Sequence, residues 1–136
     1  NFVVFINVVW MIFFYPNSSL KVNERIHKMK ELTQKNKQDL MHWLDYKLRE
    51  LHDMQKGQEK LPYLAGKAEA YLMVKNMEVH GQEGFENLFI LLNQLKKAAD
   101  LSSESPFLYK GAKRHLDGVA VGYANVIRYF RVMFDA

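Results

Sequence analysis

Residues 2–15 constrain this chain more than any other stretch. Phe2, Val3, Val4, Phe5, Ile6, Val8, Val9, Trp10, Met11, Ile12, Phe13, Phe14 and Tyr15 are apolar or aromatic, Asn7 is the one strongly polar side chain among them, and the first charge is Lys21. Such a segment is driven out of water, either into lipid or into protein. As a helix it would span about 21 Å at 1.5 Å per residue, short of the roughly 30 Å hydrocarbon core of a bilayer. The uncharged residues up to Leu20 would bring it to that thickness, but Pro16 interrupts helical hydrogen bonding on the way.

The order of the flanking residues favours lipid. Trp10, Phe13, Phe14 and Tyr15 resemble an interfacial aromatic belt, and Lys21, Arg25, Lys28 and Lys30 follow as a basic juxtamembrane stretch. This predicts a membrane span or insertion at residues 1–20, with residues 21–136 as a helical domain on the cytoplasmic or matrix-like side. The expected location is a membrane, of the organellar, mitochondrial inner-membrane type. Two other readings stay open: a buried strand or helix of a soluble core, because apolar runs of this length are often that, and a targeting remnant.

The remainder reads as helices. Asn17, Ser18 and Ser19 are N-cap candidates ahead of Val22, Ile26 and Met29, and the polar run at 33–38 either crosses solvent or breaks the helix. Met41, Leu44, Leu48 and Leu51 resume the helical spacing, and Gly57 suits a helix end. A helix over 61–79 starts near Pro62, with Leu64, Ala68, Tyr71 and Leu72 inward and Gly66 and Ala70 allowing close approach. Gly81 and Gly84 frame a turn, and Phe85, Leu88, Leu92, Leu95 and Ala99 form the next stripe. After a polar loop at 101–105, Ser105 and Pro106 open a last helix whose Tyr109, Ala112, Leu116, Val119, Tyr123, Val126, Phe130 and Met133 keep a heptad-like repeat. The fold class is therefore all-α: an N-terminal apolar helix, then a bundle-like domain of four to five helices.

No motif names a reaction. The absence of cysteine rules out disulfides, a thiolate nucleophile and Cys-ligated metals. His27, His42, His52, His80 and His115 form no His-x-x-x-His pair, and the serines fall in neither Gly-x-Ser-x-Gly nor Ser-x-x-Lys. Glu24 with Lys28 and Asp45 with Arg49 have the spacing of helix-surface ion pairs. No catalytic residue, metal ligand, cofactor or small-molecule substrate is expected.

The candidate contact residues lie on the last helix. Lys110, Lys113 and Arg114 make a basic patch, with Arg128 further along, suited to lipid phosphate or a partner. Gly118 and Gly122 would let a neighbouring helix or a partner subunit come close. A net charge of +4 fits anionic headgroups or an acidic partner and is a weak nucleic-acid signature, so no nucleic acid is expected.

His42-Trp43-x-x-Tyr46-x-Leu48 resembles the middle helix of the abalone sperm lysins, which are likewise small, basic, helical and cysteine-free. That resemblance implies a secreted helical protein that disrupts membranes or binds an egg coat. The residues themselves lead to two expectations. The first is a non-catalytic accessory or structural subunit of a larger membrane complex, whose partners are other subunits and membrane lipid. The second is a soluble or secreted cysteine-free helical protein that binds lipid or acts on membranes.

Overall fold

The computed structural model describes residues 25–26, 28–56 and 61–136, so the proposed anchor at 2–15 lies outside the described residues. Four helices and no strand occur among the described residues: α1 (Gln34–Gln55), α2 (Pro62–Asn76), α3 (Gly81–Ser103) and α4 (Lys110–Phe134). None of them is long and apolar enough to cross a membrane.

Each helix begins where local chemistry allows it. Thr33 caps α1 by accepting a hydrogen bond from the Asn36 amide at 3.1 Å, so the polar run at 33–38 is a cap and first turn. Pro62 occupies the first turn of α2, where its missing N–H costs nothing. Gly81 starts α3 at φ +71°, a conformation that glycine adopts without strain. At the other end α3 runs on through Ser102 and Ser103, which the sequence places in a loop. Ser103 donates its hydroxyl to the Asp100 carbonyl at 2.8 Å, satisfying a buried polar group inside the helix.

The last helix starts later than the sequence predicts. Tyr109, rather than Ser105, is its N-cap residue, and Ser105 instead closes a turn by accepting from the Phe107 amide at 3.4 Å. Pro106 therefore stiffens the connection rather than the helix.

Helix α4 is central, packing on α2 along one side and α3 along the other, while α1 lies against α2. Helices α2 and α4 run in the same direction: Gly66 faces His115 and Val119, Gly118 faces Tyr63, and Gly122 faces Ala70. A Cβ added at Gly118 would lie 2.0 Å from the Tyr63 carbonyl oxygen, and one at Gly66 2.0 Å from that of His115. Only glycine permits this separation. The neighbour admitted by Gly118 and Gly122 is thus α2 of the same chain, the neighbouring-helix alternative rather than a partner subunit or lipid.

Helix α3 runs antiparallel to α4, Phe85 meeting Phe130 and Phe134 with ring centroids 5.1 and 4.7 Å apart. Helix α1 runs antiparallel to α2: Lys37 donates to the Val79 carbonyl, and the Asp45 carboxylate meets Lys75 at 2.6 Å. Asp45 therefore pairs across helices with Lys75, whose hydrogen bond lowers its pKa, while Arg49 turns to the Asp45 carbonyl. Before α1, the Lys30 amide donates to the Phe134 carbonyl at 2.8 Å, tying the start of the described chain to the end of α4.

The core is aromatic. Rings pack in series from Phe89 through Phe130, Phe85 and Phe134 to Tyr129, Trp43 and Tyr71, joining all four helices. Two buried phenols find partners: Tyr123 donates to the Met73 thioether, and Tyr71 accepts from Asn125, both at 2.8 Å. Burial pushes both phenols above the usual tyrosine range. Several stripe positions differ from expectation. On α2, Leu72 is exposed while Ala70 and Val74 are buried, because the small residues and not the leucine face α4. On α4, Tyr109 and Met133 lie outside and Ile127 and Phe134 inside, as a straight helix of 3.6 residues per turn drifts away from a seven-residue repeat.

Candidate functional site

The antiparallel order brings the end of α1, the start of α2 and the α3–α4 connection to one end of the bundle. Five of the nine large hydrophobic side chains exposed on the described surface gather there: Met54 in the last turn of α1, Leu61 ahead of α2, Leu101 at the end of α3, and Phe107 and Tyr109 between α3 and α4. Phe107 is 94% exposed. Lone exposed apolar residues are ordinary; a cluster at one end is not.

The α3–α4 connection holds its aromatics outward. Beyond the Ser105 turn, Leu108 donates its amide to the Ser105 carbonyl, leaving Phe107 at the tip of a tight bend. The Tyr109 ring lies beside Gly111, where an added Cβ would come 3.0 Å from its Cε2, and so stays against the first turn of α4 while remaining 76% exposed.

Cations ring this end. Lys110, Lys113 and Arg114 are exposed, and no ion pair within 4.0 Å involves them among the described residues. Arg114 lies 5.2 Å and Lys67 5.6 Å from the centroid of the Tyr63 ring, so α2 and α4 each place a cation on one aromatic face. His115, next in sequence, pairs with Glu69 and turns away from the cluster. Among the described residues the acidic groups of these end segments include Asp53, Asp100 and Glu104, and Asp100 is paired with Lys96.

The structure therefore divides the expected contact residues into three groups. Lys110, Lys113 and Arg114 come together with exposed aromatics; Gly118 and Gly122 are buried under α2; Arg128 lies further along α4, beside Arg131. Sequence periodicity points away from Phe107, because it follows Pro106 and falls off every apolar stripe. The signal that could have found it is the run of aromatic and basic residues from Phe107 to Arg114.

Among the described residues no three His, Asp or Glu side chains gather as a metal site would require. His42 and Tyr46 of the lysin-like stretch are exposed, whereas Trp43 packs between Tyr71 and Tyr129. Comparison with known proteins finds no family model, no curated protein and no solved structure that matches the chain.

Proposed function

We propose that the chain is a non-catalytic helical protein that works at a membrane, seating the Phe107 end of its bundle in the headgroup layer of an anionic lipid surface. The observation that carries this reading is Phe107, exposed at the tip of a tight bend beside Tyr109 and three cations without an ion pair among the described residues. Such a bend inserts an aromatic ring at the level of the headgroups while the cations meet lipid phosphate. Residues 2–15 would add an apolar insertion of their own, consistent with their belt-like order.

Burial of one Phe side chain contributes about 2 kcal/mol, and each cation near an anionic surface about 1 kcal/mol. Phe107→Ser is accordingly expected to weaken binding of the full chain to phosphatidylcholine–phosphatidylserine vesicles by about tenfold or more, without altering its fold. Co-sedimentation measures this. A full chain that stays in the supernatant, or one whose binding ignores both Phe107→Ser and the phosphatidylserine content, overturns the reading.

A second reading, an accessory subunit of a membrane complex, draws on the far end of α4. There Val132 and Met133 are exposed beside Tyr129 and Trp43, around a shallow groove of about 290 Å³ suited to an apolar partner side chain. Native mass spectrometry of the chain purified from its source distinguishes the two: a stoichiometric partner supports the subunit, a bare chain with lipid supports the first reading.

A further inference from the structure

A groove of about 500 Å³ runs between α3 and α4, along the flank of the bundle and apart from the Phe107 end. Its apolar floor is Ile90, Ala124 and Ile127, and the single methyl of Ala124 leaves the space that a larger side chain would fill. Asn93 and Gln94 edge it with amides, although Asn93 already donates to the Phe89 carbonyl.

The charge along this groove is one-sided. Lys96 is spoken for by Asp100, its ammonium 2.9 Å from the carboxylate. Lys97, Arg128 and Arg131 remain, and no carboxylate forms an ion pair with any of them within 4.0 Å among the described residues. Desolvation, and after it the neighbouring Arg25 guanidinium, lower the Arg131 pKa from the usual arginine value. Two guanidiniums spaced by three residues on one helix face favour a planar or tetrahedral oxyanion that accepts several hydrogen bonds. The volume exceeds that of a lone ion and falls in the range of small-molecule sites.

We infer that this groove binds an organic phosphate, its phosphoryl oxygens held by Arg128 and Arg131 with Lys97 alongside, and its carbon body lying on Ile90, Ala124 and Ile127. The phosphate is either that of a soluble metabolite or that of a lipid headgroup. This inference does not depend on the Phe107 end, because the two sites share no residue.

Titration of the full chain with glycerol 3-phosphate, and separately with short-chain phosphatidic acid below its micelle concentration, tests it. The readout is the arginine Nε–H resonances together with affinity by equilibrium dialysis. Saturable binding of glycerol 3-phosphate identifies a soluble source; binding of the phosphatidic acid alone identifies a lipid one. In either case Arg128→Gln with Arg131→Gln is expected to weaken binding at least tenfold and Lys97→Gln several-fold, whereas Arg49→Gln, on α1 and outside the groove, leaves it unchanged. All these residues are exposed, and circular dichroism checks that each variant keeps its helices. Absence of saturable binding by both probes, or equal affinity in the arginine double variant, overturns the inference.

Discussion

Replacing Gly118 by alanine tests the packing on which the whole bundle depends. The new methyl would sit 2.0 Å from the Tyr63 carbonyl oxygen, 2.9 Å from its carbon and 3.1 Å from the Lys67 nitrogen. All three are backbone atoms, so no side chain can rotate aside. An ordinary carbon–oxygen contact is about 3.3 Å, which requires α2 and α4 to part by about 1.3 Å. A gap of that size forfeits about half of each atom pair's attraction of roughly 0.1–0.2 kcal/mol. Leu64, Ala70, Leu116, Val119 and Tyr123 are buried along the two packed helices, and at roughly ten cross-helix atom pairs each the loss is about 4 kcal/mol. Alanine's better helix propensity returns about 1 kcal/mol, leaving a net destabilisation of about 3 kcal/mol. The midpoint of thermal unfolding followed by circular dichroism should fall by about 10 °C. Gly84→Ala provides the opposite sign: its added Cβ meets nothing nearer than 3.7 Å, so it should stabilise by about 0.5–1 kcal/mol. A Gly118→Ala protein that melts at or above the parent temperature would refute the close crossing of α2 and α4.

Two further perturbations probe the same core. Phe130 lies fully buried against Phe85, Phe89 and Phe134, so Phe130→Ala should cost about 3–5 kcal/mol, read as a lower urea midpoint with an unchanged denaturant slope. Tyr71 and Tyr123 have folded-state pKa values raised above the ordinary tyrosine range by burial. Their contribution to stability is therefore complete below about pH 10 and is lost as the pH climbs beyond it, because only the unfolded chain releases those protons readily. Phenolate absorbance should show both ionising together with unfolding; reversible ionisation of all tyrosines near pH 10 with the helices intact would contradict their burial.

Much of the helical layout is legible in the residues. The stripe Phe85, Leu88, Leu92, Leu95 and Ala99 is buried throughout, and Pro62 opens α2 as its fixed φ suggests. The errors fall where a local signal has two uses. Ser105 is as good a turn former as a cap, and Ser102 and Ser103 look like loop residues until their positions prove buried. Asp45 has the spacing to meet Arg49, yet Lys75 of α2 stands closer once the helices pack. Of the candidate site, the basic residues Lys110, Lys113 and Arg114 were legible as a patch. Their apolar companions were not, because Phe107 falls off every apolar stripe and Met54 and Leu61 are far from it in sequence.

The sequence by itself determined that the described chain is helical, that it has no cysteine chemistry and that Gly66, Gly118 and Gly122 mark close approaches, since composition, periodicity and the missing Cβ act locally. Only the tertiary structure decided which helix fills each approach. It also decided which apolar residues were left in solvent at one end, and which cations were left without carboxylates between α3 and α4. These are properties of pairing: a side chain is exposed or a charge uncompensated only by virtue of what other segments bring, or fail to bring, beside it.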